Sequence, residues 1–270
     1  MTPALTAIIL LLSELQAWGP KSIAWVSTAI AAVGLLSLFV WRERRAAAPL
    51  VDLQLFRIPA FTGGVIAVNL SYALLYSMFF LMSFAFVRGL NGSPLSAGLH
   101  LAIVPAALGL VAPFSGGLCE RVGARVLTTA GMAFCAVATI LLWLCLTAAA
   151  GHDLGIMGAL ALFGLGLGLF IAPNNTATMA SAPGNRTGQA GGLLNLLRVL
   201  GTAFGIAIAS TALSWRLKVL TGTGEKTLGV PTQKVLAAVG DVLWVLLAFT
   251  IVAAAAALLR GPTAQSKTRQ

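Results

Sequence analysis

Charged residues are scarce in this chain. Asp, Glu, Lys and Arg together make up 9% of its 270 residues, whereas 59% are hydrophobic. Soluble domains carry about 25% charged residues, and a soluble fold of this size could not cover its surface with so few charges. The composition therefore excludes an ordinary soluble protein and predicts that the lipid bilayer is the solvent for most of the chain.

Cysteine and histidine are also rare, which limits metal and redox chemistry. The three cysteines, Cys119, Cys135 and Cys145, have no CxxC spacing, and the chain has two histidines. Because no metal-ligand cluster can be built from such a set, we expect free thiols packed among helices. The stretch GLGLGLF (164–170) lies in an apolar run and no Lys-Ser/Thr follows it, which argues against a phosphate-binding loop. We expect neither a metal nor a cofactor.

Acidic residues number seven, and the net charge is +10. The acids and histidines are scattered over separate apolar runs, which disfavours a membrane-embedded enzyme with a converging catalytic set. The basic residues lie between the apolar runs and not along one face. The positive-inside rule produces this distribution at the ends of membrane spans, so we expect no nucleic-acid binding.

Long apolar runs, by contrast, fill the chain. They have the length of helices, and none shows the ten-residue alternation of a membrane barrel. We predict spans at about 22–41, 60–87, 95–117, 126–149, 154–173, 189–213 and 236–259. A further run at 4–12 is too short to span and resembles the end of a helix whose beginning is missing.

The counts of Lys and Arg indicate the orientation. The segment 41–57 (WRERRAAAPLVDLQLFR) is charged and then amphipathic, which predicts a connector at the membrane surface. If 42–57 is cytoplasmic, alternation places ten basic residues on the cytoplasmic side and six on the other. This bias favours the orientation, and only the polar segment 214–235, with four of the six, opposes it.

The decapeptide GGLCERVGAR (116–125) lies between two apolar runs. Its charges and glycines predict a short cytoplasmic loop in which the glycines permit a tight reversal. Glu120 can then meet a helix N-terminus or a neighbouring arginine, which forms a latch that breaks when the helices slide. A solvated loop with positive-inside charges explains the same residues. The residues assigned to this loop motif are Gly116, Glu120, Arg121, Gly123 and Arg125.

This stretch resembles the G-x-L-a-D-R-x-G-r-[KR] loop motif of the major facilitator superfamily, in the copy between the second and third helices of the C-terminal six-helix bundle. ERRAAAPLVDLQLFR (43–57) is similar to the segment entering that bundle in the fourteen-span drug:proton antiporter branch. GLGLGLFIAPNN (164–175) and GQAGGLLNLLRVLGTAFGIAIAS (188–210) resemble its fourth and fifth helices. Glu120 stands where the family usually has Asp, and Ala124 where it often has a basic residue.

The resemblance implies an all-α integral membrane fold. This fold is the C-terminal six-helix bundle of a major facilitator-type transporter, preceded by one full and one partial linker helix. It divides the chain into linker helices (1–41), an amphipathic cytoplasmic connector (42–58), the bundle (59–260) and a cytoplasmic basic tail (261–270). It also implies a multi-pass plasma-membrane protein. The first six-helix half of the family, which usually carries much of the proton-coupling chemistry, has no counterpart here.

The implied function is that of half a secondary transporter. It would perform proton-coupled efflux of small amphipathic organic molecules or drugs by alternating access. Its partners would be the lipid bilayer, the small-molecule substrate, protons and the missing N-terminal half. The alternative is a truncated, non-transporting membrane fragment or scaffold that needs an N-terminal half.

Small and polar residues recur on one face of the predicted helix 189–213. Arg198 costs at least about 2.5 kcal/mol at membrane depth unless it is paired or wet. It either lines the central cavity or an inner gate, or snorkels to the headgroups. Two GxxxG pairs let helix backbones approach closely and slide. These helix-packing residues are Gly164, Gly168, Gly201 and Gly205.

Asn69, Tyr72 and Tyr76 fall on one face of the first bundle helix. An amide and two phenols suit amphipathic, partly aromatic substrates, and interhelical hydrogen bonding explains them equally well. Pro173 is expected to end or kink its helix and to leave two asparagines free to bond backbone groups or a ligand. The complete set of predicted cavity residues is Asn69, Tyr72, Tyr76, Asn174, Asn175, Asn195 and Arg198.

His100 and Asp241 are the candidates for proton coupling. Each is expected about 8 Å inside the outer surface, at 1.5 Å per residue. Either residue could exchange a proton in a proton-coupled cycle, and either could equally lie in the hydrated headgroup region.

Overall fold

The computed structural model describes residues 53–147, 153–222 and 230–258, together with the helical positions Gly34, Ser37, Leu38 and Trp41. The basic tail and nearly all of the predicted linker helices lie outside these described residues. So do His152 and most of the amphipathic connector. The connector's last residues, Leu53–Arg57, form a short 3-10 helix.

Six helices in the described part of the chain are long and apolar enough to cross a membrane. In lipid every backbone polar group must be satisfied within the segment, so runs of this length form helices. In chain order they are α1 (Pro59–Phe84, continued by a π-helical turn at Ala85–Gly89), α2 (Pro94–Val122), α3 (Ala124–Thr147), α4 (Asp153–Ala180), α5 (Thr187–Thr221) and α6 (Thr232–Leu258). The predicted all-α membrane fold is confirmed.

Several helices are longer than the sequence predicted. Of the two alternatives for Pro173, an end of the helix is excluded, because α4 continues through it to Ala180. The segment 214–235 was predicted to be polar loop, yet α5 runs on to Thr221. A change from apolar to polar residues marks where a helix leaves the lipid, and the backbone hydrogen bonds continue beyond that level.

Helix pairing sets the architecture. α1 packs mainly on α5 and α6, α3 on α4 and α6, and α2 on α4. The main buried cluster is built mainly from α1, α3, α4 and α6, with smaller contributions from α2 and α5, around buried side chains such as Met78, Leu142, Phe163 and Leu243. A second, smaller cluster joins the start of α1 to the start of α5 through Phe61, Val65, Leu193 and Leu194, with Leu55 of the connector.

Candidate functional site

The contact between α1 and α5 is close because α5 presents glycines to it. A Cβ added to Gly201 would collide with the carbonyl oxygen of Asn69, and one added to Gly205 would collide with that of Ala73. Two side-chain hydrogen bonds cross the same contact. Asn69 Nδ2 donates to Leu197 O at 2.9 Å, and Ser77 Oγ donates to Gly205 O at 2.8 Å. The two backbones are therefore held together at two levels of the membrane.

Arg198 and Tyr72 meet beside this contact. The Arg198 guanidinium carbon lies 5.0 Å from the centroid of the Tyr72 ring, which is a cation–π geometry. The Arg198 Nε is buried and has no hydrogen-bond partner among the described residues. Arg198 lies eleven residues into α5, about 16 Å along the helix at 1.5 Å per residue. Its charge is offset here by an aromatic face and not by a carboxylate.

An open cleft of about 630 Å³ begins one helical turn further along α1. Tyr76 forms its first wall, and its ring packs edge-on against Phe79 at 6.0 Å between centroids. Leu101 of α2 and Ile206 of α5 close the sides, and Arg88 is its charged lining residue. The α1 residues of the wall are Tyr76, Phe79, Phe80, Ser83, Phe84 and Val87. Such a surface binds flat apolar molecules by ring contact.

Three of the four predicted asparagines, Asn174, Asn175 and Asn195, lie outside the group that Asn69, Tyr72 and Arg198 form. Asn174 is fully buried, and its Nδ2 donates to Gly64 O on α1 at 3.3 Å, whereas Asn195 is exposed on α5. The Oδ1 atoms of Asn174 and Asn175 are buried and have no hydrogen-bond partner among the described residues. The structure thus groups Asn69, Tyr72 and Arg198 and continues this group to Tyr76. It places the three asparagines elsewhere.

The glycines of α4 face two different helices. A Cβ on Gly164 would collide with the Val104 carbonyl oxygen of α2, and Gly168 likewise lies against Leu108 of α2. Gly166 points the other way, toward Gly131 and Cys135 of α3. The sequence had singled out Gly164 and Gly168 but not Gly131 or Gly166. Alternate glycines therefore pack α4 tightly on both sides.

The predicted loop at 116–125 is mostly helix, so that expectation was wrong. Gly116, Glu120 and Arg121 belong to the last two turns of α2, and Arg125 belongs to the first turn of α3. Only Gly123 makes the reversal, with a φ of +85°. Glu120 is exposed and forms no ion pair with any residue in the described ranges. A single glycine can turn the chain because, lacking a Cβ, it adopts the positive φ that the reversal requires.

His100 lies six residues into α2, about 9 Å along the helix. Its Nδ1 lies 2.7 Å from the Ser96 carbonyl oxygen of the preceding turn. A proton on Nδ1 makes this contact a hydrogen bond and leaves Nε2 as the acceptor of the neutral ring. The ring also packs on Phe86, with 4.8 Å between centroids.

Asp241 is paired with a residue of the neighbouring helix. It lies nine residues into α6, which begins at Thr232, about 14 Å along the helix. Its Oδ2 accepts a hydrogen bond from Arg216 Nε of α5 at 2.6 Å. Sequence reasoning missed Arg216, since nothing in the spacing of residues twenty-five apart predicts that they meet.

No group of three or more His, Cys, Asp or Glu residues that could hold a metal ion occurs in the described segments. Sequence reasoning also missed most of the aromatic cleft. Its signal was available, because Tyr76, Phe79, Phe80, Ser83, Phe84 and Val87 follow the i, i+3, i+4 spacing of one helix face.

Comparison with known proteins gives a consistent result. The family model described as Major Facilitator Superfamily matches residues 2–206. The chain is 33% identical, over 80% of its length, to the multidrug resistance protein Stp of Mycobacterium tuberculosis, and 31% identical over 78% to the drug efflux pump JefA of the same species. It is 32% identical over 67% to the riboflavin transporter RibZ of Clostridioides difficile. These matches cover 41%, 41% and 40% of the three relatives, so the chain spans about two fifths of their length.

Proposed function

This chain belongs to the Major Facilitator Superfamily, and on that premise we propose that it is one six-helix half of a secondary transporter that exports small amphipathic organic molecules. One observation carries the proposal: the cleft beside the α1–α5 contact is open, and its wall combines four aromatic rings with one charged side chain. The names of the multidrug resistance and drug efflux relatives support the same class of activity. Family membership and these names favour a transporter over an enzyme.

Alternating access is the proposed mechanism. The bundle would rock against a second six-helix bundle, with the cleft between them opening to one side of the plasma membrane and then to the other. The glycine contacts of Gly201 and Gly205 would keep α1 and α5 moving as one unit. In this scheme the remaining wall of the site comes from the second bundle. The proposed orientation keeps the Gly123 turn on the cytoplasmic side.

Proton coupling is proposed at Asp241 and, as a second candidate, at His100. Protonation of Asp241 would remove the charge that holds Arg216, so the contact between α5 and α6 would loosen. Neither Asn variant can change charge with pH. We expect Asp241→Asn to abolish the dependence of efflux on a proton gradient, and His100→Asn to reduce it.

A chimera tests the transporter proposal. This chain would replace the matching segment of Stp, and bacterial cells expressing the chimera would be loaded with amphipathic fluorophores of either charge. We expect efflux that requires a proton gradient. Absence of efflux of every fluorophore, with the chimera present in the membrane and unmodified Stp active, would contradict the proposed function. Efflux that ignores the gradient would contradict only the coupling.

A non-transporting fragment that needs an N-terminal half is the second candidate. The observation in its favour is that the chain spans about two fifths of the length of its relatives. The same assay on the 270-residue chain alone separates the two candidates. Efflux by the chain alone would exclude the proposal that it is a non-transporting fragment. Efflux by the chimera but not by the chain alone would support that proposal.

A further inference from the structure

The distribution of charge around the cleft indicates which molecules it accepts. Its charged lining residue is Arg88, whose side chain is exposed. At the other end of the cleft wall is Tyr76. One helical turn beyond it, away from Arg88, Arg198 lies over the Tyr72 ring. Residues four apart lie one above the other on a helix face, so the aromatic wall joins the two arginines. Within the described ranges, the charged groups along this path are the cations Arg88 and Arg198.

Carboxylates that could attract a cation lie elsewhere. Among the described residues, Glu120 is nineteen residues beyond Leu101 on α2, about 28 Å along the helix. Asp153 is in the first turn of α4, and Asp241 is engaged by Arg216. The described part of the bundle therefore presents no carboxylate to the cleft.

Arg198 is the cation that is incompletely satisfied. Its Nε is buried and has no hydrogen-bond partner in the described ranges, and the Tyr72 face offsets its charge only in part. Arg198 as a whole is partly buried. A partly buried guanidinium that lacks a carboxylate is stabilised by an anionic group that reaches it, because Arg donates in a fork that matches carboxylate and phosphate oxygens. An organic cation at the same place would add a second positive charge in a low-dielectric site.

We infer that this half of the site selects planar aromatic molecules that carry an anionic group, and discriminates against aromatic cations. The ring system would lie along Tyr76, Phe79 and Phe80, and the anionic group would point toward Arg198. The inference rests on the proposed function, since it names the substrate class of the same cleft. In this inference the aromatic rings provide the binding affinity, and Arg198 determines which charge on the bound molecule is preferred.

Binding of two matched probes tests the inference. The 270-residue chain would be placed in phosphatidylcholine nanodiscs, where the lipid has no net charge. Anisotropy would report the dissociation constants of 1-pyrenecarboxylate and 1-pyrenemethylammonium, with empty nanodiscs as the reference. We expect the carboxylate to bind about tenfold more tightly than the ammonium, as one charge-assisted hydrogen bond would produce.

Four variants identify which residues produce the preference for the carboxylate probe. Arg198→Gln should remove most of the preference, whereas Arg198→Lys should keep part of it because the charge remains. Lys218→Gln, which removes the same charge from an exposed side chain of α5, should leave the preference unchanged. Phe79→Leu should weaken both probes by the same factor, because it removes ring contact and no charge. A loss of preference in Lys218→Gln as large as in Arg198→Gln would overturn the assignment to Arg198.

The remaining outcomes separate this inference from the proposed function. Tighter or equal binding of the ammonium, weakened by Phe79→Leu, would overturn the charge preference and leave the cleft as the substrate site. Binding of neither probe above the empty nanodiscs would overturn the inference together with the assignment of the cleft. Circular dichroism of each variant in nanodiscs checks that the helices are retained.

Discussion

Arg216 of α5 and Asp241 of α6 form an ion pair, with 2.6 Å between Nε and Oδ2. Both side chains are partly exposed, at 33% and 41%. The pair joins two helices whose mutual contact is otherwise modest, since α5 packs mainly on α1 and α6 mainly on α3 and α1. It is a polar link between two helices that also contribute Leu213, Leu217, Val242 and Leu243 to the main buried cluster.

A double-mutant cycle measures this link. We expect Asp241→Asn and Arg216→Gln each to lower the free energy of unfolding in mixed micelles, with a coupling energy of about 0.2–1 kcal/mol because the pair is partly exposed. A coupling energy near zero would show that the pair does not hold α5 to α6. The proton coupling proposed at Asp241, which works through this pair, would then need another group.

Glycine substitutions in α5 test the close contact with α1. Gly205→Ala places a methyl group against the Ala73 carbonyl oxygen, and we expect it to destabilise the bundle by about 1–3 kcal/mol. Gly192→Ala is the matched control on the same helix, since nothing lies within 4 Å of its added Cβ. Thermal unfolding followed by circular dichroism checks both. Equal melting temperatures for the two variants would contradict the tight contact.

The turn between α2 and α3 offers a second glycine pair. Gly123 has φ +85° and ψ 147°, a region that residues with a Cβ rarely adopt. We expect Gly123→Ala to cost about 1–3 kcal/mol. Gly117→Ala, inside α2 with open space around it, should instead stabilise the helix by about 0.5–1 kcal/mol. Denaturant titrations of both variants measure the difference, and effects of the same sign would argue against the single-glycine turn.

The hydrogen bond from Asn69 to the Leu197 carbonyl tests how far polar contacts hold the helices together. Hydrogen bonds between membrane helices contribute about 0.6 kcal/mol on average and up to about 1.7. We expect Asn69→Ala to lie in this range, and Ser77→Ala, which removes the bond to Gly205, to match it. Unfolding free energies from both variants give the values. A loss well above the range for Asn69→Ala would indicate that Asn69 stabilises more than this contact.

Much of the fold follows from local properties of the sequence. A helix boundary was predicted to within a few residues where it coincides with the boundary of the apolar run, as at the starts of α1 at Pro59 and α2 at Pro94. Ends were misplaced at Val122, Ala180 and Thr221, where polar residues extend a helix out of the lipid. Hydropathy reports the solvent around a residue, whereas the helix ends where its backbone hydrogen bonds stop.

The site was less accessible to sequence reasoning. Spacing placed Asn69, Tyr72 and Tyr76 on one face and identified Arg198, but it could not show that Arg198 lies over Tyr72. Their sequence separation exceeds one hundred residues, and only the packing of α1 on α5 brings them together. The same limit applies to Arg216 and Asp241.

The sequence by itself determined that this protein is a bundle of membrane helices, because its scarcity of charge and its long apolar runs leave lipid as the only suitable solvent. Tertiary structure alone decided which helices touch, which glycines lie at the contacts, and which polar groups find partners. The physical reason is range: hydropathy and helical periodicity act over one helix. Close packing, ion pairing and the shape of a cleft arise between helices that are distant in the chain.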